Sequence, residues 1–263
     1  MQISADRKNS LFFDRAWLGH SLHFLQRDIA RQYDRTAIGI AWLLLSQIIT
    51  ISGIAIVFST VFRTELKDFF PHLAISLLCW NLISGAIAES PRVYHAAGPI
   101  LNAFPVPYPT FAFRMVVRYF VSFMFGLPIF LAVAFWFGVP FFPTVLLSLV
   151  NFPLLALLLY PLANFLGIAG ARFRDLAPTV GSVIYLLFLV SPILYKPNAI
   201  PQHASLLLYL NPFYYLLEVA RAPFLGQVPS LAVYAGTIGM TIIAWILSTV
   251  ANRKYGRYVV FWV

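Results

Sequence analysis

Charged residues are what this sequence has least of: they make up 10% of its 263 residues, against about 25% in an ordinary soluble domain. That shortfall excludes a soluble globule and points to lipid as the solvent. An Asp, Lys or Arg at the centre of a membrane helix costs roughly 2.5–3.5 kcal/mol on insertion scales. There is one cysteine, Cys79, inside an apolar run, so no disulfide framework exists within the chain. A GxxxxGK[ST] phosphate loop is missing, as are HExxH, GxSxG and any Cys/His cluster with metal-ligand spacing, and with them the corresponding covalent and metal chemistry. The five histidines, His20, His23, His72, His95 and His203, are scattered. Acidic residues fall at the edges of apolar runs or in loops. A proton-coupled carrier usually needs an ionisable group inside the membrane, so this too counts against one. Residues 1–37 have neither the short apolar core nor the small-residue cleavage site of a signal peptide.

What the sequence does have is length in its apolar runs. Residues 38–62, IGIAWLLLSQIITISGIAIVFSTVF, carry no charge at all. A helix rises about 1.5 Å per residue, so ~20 apolar residues cross a hydrocarbon core roughly 30 Å thick. Comparable runs predict five more spans, at 69–88, 119–137, 144–169, 177–194 and 231–250. Pro153 and Pro161 predict kinks in the fourth. Between the second and third spans, residues 90–118 hold Arg92, His95, Arg114, Arg118 and five prolines. They read as a structured loop with one short helix near 93–104. The fold class expected is an all-α integral membrane protein, one transmembrane domain over residues 1–263.

Residues 14–35 form a different pattern. Leu18, Leu22, Leu25 and Ile29 share one helical face, while Arg27, Asp28, Arg31, Asp34 and Arg35 take the rest. This is an amphipathic helix suited to the headgroup region, with Trp17 and Tyr33 at the interface; a soluble helix on the chain's own loops also fits. Residues 195–230 are apolar but broken by Asn211-Pro212, with Glu218 and Arg221 in the second half. Charge settles the count. With six spans and the N-terminus inside, fourteen of the eighteen basic residues fall on the cytoplasmic side, leaving Arg63, Lys67, Lys196 and Arg221 outside. This positive-inside distribution accounts for the net charge of +9 without nucleic acid. Residues 195–230 then become a re-entrant hairpin on the outer face. Glu218 and Arg221, three apart, either pair on one helical face or sit separately at headgroup level.

Several stretches at this point resemble a known family. RQYDRTAIGIAW after the amphipathic helix, GPILNAFPVPYPTF in the loop, FRDLAPTV before the fifth span, SPILY after it and LNPFYYLLEVARAPFLG before the last span resemble the transmembrane subunits of type-two ABC exporters. The polysaccharide exporters for O-antigen, capsule and teichoic acid are the nearest branch, and RAPFLG looks most like the O-antigen exporters. PVPYP departs from the family pattern in its crowding of prolines.

The resemblance implies a fold and a set of partners. Six spans, an interface helix and an outer re-entrant hairpin would assemble as a homodimer with two ATPase subunits, which bind the ATP and Mg; this chain itself holds no cofactor and is no enzyme. The coupling element would be residues 90–105, with Pro91, Arg92 and Asn102, joined by Trp17, Leu22, Arg27 and Arg31 of the interface helix. Spans one and five would line the polymer path, with Trp42, Phe58, Phe62, Tyr185, Phe188 and Tyr195 offering aromatic planes to sugar rings. Lipid-facing or core packing, usual for such residues, is the other reading of them. Arg172 and Arg174 either contact a lipid diphosphate or, with Asp175, anchor the loop on the positive side. Gly167 and Gly170 would admit a close helix neighbour.

The expected function is export of a lipid-linked polysaccharide, most simply O-antigen, across a bacterial inner membrane, with both termini cytoplasmic. Export of capsule or teichoic acid polymer, or of drugs or small lipids, stands in the same class. A membrane-embedded enzyme on polyprenyl-linked sugars is the alternative of another class, and it lacks the clustered carboxylates it would need.

Overall fold

A computed structural model describes residues 40–62, 66–104, 106–197 and 205–263. The amphipathic segment 14–35, with Trp17, Leu22, Arg27 and Arg31, lies outside the described residues. All described regular structure is helical. In chain order the helices are α1 (Ile40–Phe62), α2 (Leu66–Glu89), α3 (Val93–Ala103), α4 (Pro109–Phe137), α5 (Ser148–Arg172), α6 (Leu176–Val190), α7 (Ser205–Leu210), α8 (Pro212–Arg221), α9 (Leu231–Tyr255) and α10 (Val259–Trp262). Short 3-10 turns lead into α3 (Ser90–Arg92) and α5 (Thr144–Leu147), follow α8 (Ala222–Leu225) and join α9 to α10 (Gly256–Tyr258).

Five helical stretches are long and apolar enough to cross a membrane. The fifth expected span, α6, is apolar but has 15 residues, about 22 Å at the helical rise. It stops at Val190, where Ser191 leaves the helix in extended backbone, four residues before the end expected from hydropathy. The third span departs from expectation at its other end: α4 begins at Pro109, not near 119. A proline in the first turn loses no hydrogen bond and pre-sets φ, so Pro109 starts the helix that prolines elsewhere would break. Arg114 and Arg118 are therefore helical, not loop, residues. Gly138 ends α4 in the left-handed region at φ 68°, and Val139 N donates to Ala134 O at 2.9 Å, the usual glycine closure of a helix. Helix α5 runs unbroken through Pro153 and Pro161.

The hairpin breaks where the sequence says. Asn211 is non-helical, and its side chain accepts from Phe213 N at 2.9 Å. It thus caps α8, with Pro212 at the first helical position.

The core does not sit on the first apolar run. Of the 18 residues Leu44–Val61 in α1 only 11% are buried. Helix α2 is instead the centre, with Leu73, Ala74, Ile75, Ser76, Cys79 and Ile83 all sealed from solvent. It packs on α4, α8, α5 and α6, and α9 lies along α5. Lipid is as apolar as leucine, so hydrophobicity alone does not choose between neighbours; small residues that let helices approach do.

One approach is closer than any side chain permits. A Cβ built on Gly170 would lie 2.1 Å from the Pro91 carbonyl oxygen, and one on Gly167 2.7 Å from the Tyr94 ring. Gly53 and Gly181 have nothing within 4 Å. Gly170→Ala is therefore expected to lower stability by about 1–3 kcal/mol through overpacking. Gly181→Ala should leave it unchanged or raise it by up to about 1 kcal/mol. Melting temperatures of the detergent-purified variants check the contrast.

Candidate functional site

Polar side chains in this bundle collect at two ends, because a polar group at mid-depth needs a partner within the protein. At one end α2 hands over to α3. Arg118 of α4 bonds Glu89, and Tyr119 donates to the other oxygen of that carboxylate at 2.8 Å. The Ser90–Arg92 turn buries Pro91 against Gly170 and leaves Arg92 exposed. Just beyond, Tyr94 donates to Asn164 Oδ1. Asn164 Nδ2 donates to Ser248 Oγ at 2.7 Å and Asn252 Oδ1 at 3.1 Å, and Tyr108 donates to the same Asn252 oxygen at 2.6 Å. Burial, and then the nearby Tyr160, push the Tyr108 phenol well above its ordinary range, so it stays a neutral donor. This network ties α3, α4, α5 and α9 together at the level of the expected coupling element.

The chain's last residues join this end. Asn102 Nδ2 donates to Val263 O at 3.4 Å. The Arg172 guanidinium lies 5.2 Å from the Trp262 ring centre and 5.5 Å from that of Phe173. Arg172 and Arg174 are both exposed. The structure thus gives Arg172 aromatic partners within the chain, which the sequence did not signal.

The opposite end is built around Arg221, which is only 1% exposed. Its Nε and Nη2 donate to Glu218 Oε2 at 3.1 and 2.8 Å. Its Nη1 donates to Ser76 Oγ at 3.1 Å and to the Pro192 carbonyl, and lies 3.5 Å from His72 Nε2. Of the two arrangements open for Glu218 and Arg221, the structure has the pair. Asn211 Nδ2 donates to Ser191 Oγ at 2.9 Å. Asn151 Nδ2 donates to Val219 O at 2.8 Å, and Tyr234 donates to Asn151 Oδ1 at 3.0 Å.

The expected channel aromatics stand in two different settings. Trp42 and Tyr185 are 58% and 67% exposed. Phe58 stacks on Phe69 with ring centres 6.2 Å apart, and Phe188 packs 5.5 Å from Trp80, both in contact with the core. Tyr195 is half-buried and donates to Val190 O; the side chain of Phe62 lies outside the described residues. Trp42 and Tyr185 are exposed, whereas Phe58 and Phe188 pack within the chain.

Sequence reasoning missed Asn151 and Asn164. The signal was present: each is a lone amide in a long apolar run, and such a residue has to be paired. Removing Asn164 leaves the Tyr94, Ser248 and Asn252 groups to find new partners, at about 1–3 kcal/mol for each buried group left unmet. Asn164→Leu is expected to lower the melting temperature of the purified protein more than Asn102→Ala, whose exposed side chain makes one long bond.

Comparison with known proteins fits this all-helical arrangement. The family model described as ABC-2 type transporter matches residues 23–225. Over 214 residues, 78% of this chain and 80% of the relative, the sequence is 24% identical to an O-antigen export system permease protein, RfbA, of Myxococcus xanthus. With the match running from the N-terminal segment through the 3-10 turn after α8, the chain belongs to the ABC-2 type transporter family, as a multi-pass membrane subunit that is not itself catalytic.

Proposed function

We propose that this chain is the membrane half of an ATP-driven exporter of lipid-linked polysaccharide, with O-antigen as the cargo class, and that two copies work with two ATPase subunits in a bacterial inner membrane. The observation that carries the reading is the ABC-2 match across most of the chain together with a relative named for O-antigen export. Charge supports the orientation. Among the described residues Arg92, Arg114, Arg118, Arg172, Arg174, Arg253, Lys254 and Arg257 belong to the α3 end, against Lys67, Lys196 and Arg221 at the hairpin end. By the positive-inside rule the α3 end is cytoplasmic. ATP and Mg then bind the partner, and the energy enters through α3, where the exposed Arg92 and Asn102 stand ready for a docking protein.

Helices α1 and α6 supply the conduit wall. No side chain of α6 is buried, and α1 is the least covered of the long helices, so both are open to a second copy and to cargo. Sugar rings are apolar on their faces and hydroxylated at their edges; an aromatic plane holds them without strong hydrogen bonds that would stall movement. Trp42 and Tyr185 are placed to provide it.

Deleting the gene should leave lipid-linked polymer inside the cell and none on its surface, with the wild-type chain restoring display. Co-expression with its cognate ATPase subunit should yield a complex by affinity purification, and Arg92→Glu should weaken that complex about tenfold if a docking charge is reversed. Tyr185→Ala should leave the complex intact and slow export several-fold, about the worth of one aromatic contact. Normal surface polymer in the deletion strain, or no associated ATPase, would end this reading; accumulation of a different polymer or a lipid would redirect the cargo.

A further inference from the structure

Helix α6 raises a mechanical question: it has no buried side chain along its length, yet it has to hold a defined place. It touches α2, α5 and the Ser90–Arg92 turn, and its polar ties to other elements lie at its Val190 end. There the backbone carbonyl of Pro192 takes a hydrogen bond from the buried Arg221 guanidinium. One residue earlier, Ser191 Oγ takes the Asn211 amide at 2.9 Å. Phe188 packs on Trp80 of α2, and the other neighbour of Trp80, 5.1 Å away, is Phe213 of α8. Two polar ties and one aromatic sandwich thus join α6, α8 and α2 at a single level. At the middle of α6, Gly181 has open space around its Cα.

We propose that α8 with its cap Asn211, the first half of α2 and the 191–192 corner form a clasp that stays closed throughout the export cycle, with Arg221 as the positioning residue that holds it, so that α6 swings from its Val190 end as a hinge. The reason is the cost of opening. Arg221 is desolvated, and its partners come from three places: Glu218 on its own helix, Ser76 on α2 and the Pro192 carbonyl beyond α6. Parting α6 from α8 strips the guanidinium of the carbonyl and strands the Asn211 amide where no water replaces either bond. No polar tie to another helix is lost when the rest of α6 shifts, since Ile184 and Leu187 hold it there only by half-buried apolar contact. This inference rests on the export reading and adds where the wall of the conduit does not move.

The test locks the clasp. Ser191→Cys with Asn211→Cys replaces a hydrogen-bonded pair by one that an oxidant can join, and natural Cys79 is fully buried and stays in place. In the complex reconstituted with its ATPase, the oxidised pair is expected to export polymer and turn over ATP at rates within about twofold of the reduced pair, roughly the scatter of such paired assays. Export that stops on oxidation and returns with dithiothreitol, while the disulfide is seen by mass spectrometry, overturns the proposal. Where oxidation leaves the thiols apart, because the amide-to-hydroxyl bond spans more between Cβ atoms than a disulfide does, a short bis-methanethiosulfonate linker that dithiothreitol removes closes the pair, and the same two outcomes decide. Arg221→Lys gives a second readout that does not depend on the new cysteines. A single point charge cannot reproduce the guanidinium fork, so export per ATP hydrolysed should fall about tenfold, the equivalent of one lost bond, with membrane level and ATP turnover unchanged. An Arg221→Lys complex with an unchanged ratio also defeats it. A wild-type chain that restores no export defeats the function reading itself, and the clasp's role with it, an outcome separate from failure of the cysteine pair.

Discussion

Apolar burial cannot by itself hold this bundle together in one arrangement, because every greasy helix face is nearly as well served by lipid as by protein. What lipid cannot supply is a hydrogen-bond partner or a groove shaped to a glycine. The structure uses both. Gly170 lets the Pro91 backbone rest directly on α5, and the amides of Asn151, Asn164 and Asn211 each reach across to another element. Arg221 does the same with a full charge. Each tie is strong because its alternative is an unsatisfied group in hydrocarbon. That is why a chain with so few polar residues spends them at helix contacts.

The consequence is a division of the molecule into a fixed part and a loosely held part. Helices α5 and α9, with α3 clamped between Gly167, Gly170 and the Asn164 network, share polar bonds at one end, where Glu89 of α2 holds Arg118 and Tyr119 of α4. At the other, α8 is stitched to α5 through Asn151 and to α2 through Arg221. Helix α6 contributes no buried side chain, and α1 places one buried polar atom, Gln47 Oε1, beside Gly126 of α4. They are held mainly through aromatic contacts such as Phe58 with Phe69 and Phe188 with Trp80, which tolerate sliding better than a directed bond. Trp42 and Tyr185 stand on these two helices, exposed.

Hydropathy carried the number, order and approximate extent of the long helices, because crossing a bilayer demands length and lipid-like side chains and little else. It misjudged two boundaries for reasons that are local. Pro109 looked like a breaker because proline usually is one, but the first turn of a helix has no bond for it to remove. Charged Arg118 looked like loop because nothing in one dimension shows that Glu89, 29 positions earlier, would meet it. The fifth span looked longer than α6 is, since 191–194 remain apolar while the backbone turns to present carbonyls to Arg221. The same limit applies to the sites. Asn211-Pro212 declared its break through local chemistry, whereas the grip of Arg221 on Ser76 and Pro192 depends on three-dimensional neighbours separated by up to 145 positions.

A last step concerns how force could pass through such a body. On the proposed reading the energy comes from a partner ATPase, so the cycle is imposed from an end. On the proposed orientation that end is α3. A push on α3 meets no soft layer: Pro91 sits backbone-to-backbone on α5, and Tyr94 is bonded through Asn164 to α9, so α3, α5 and α9 shift as one piece. Helix α6 begins only four residues after α5 ends, through Phe173-Arg174-Asp175, and its first turn follows α5 while its far end is held by the hairpin. A rod driven at one end and pinned at the other tilts. Tilting α6 sweeps Tyr185, midway along it and exposed, across whatever lies beside the helix.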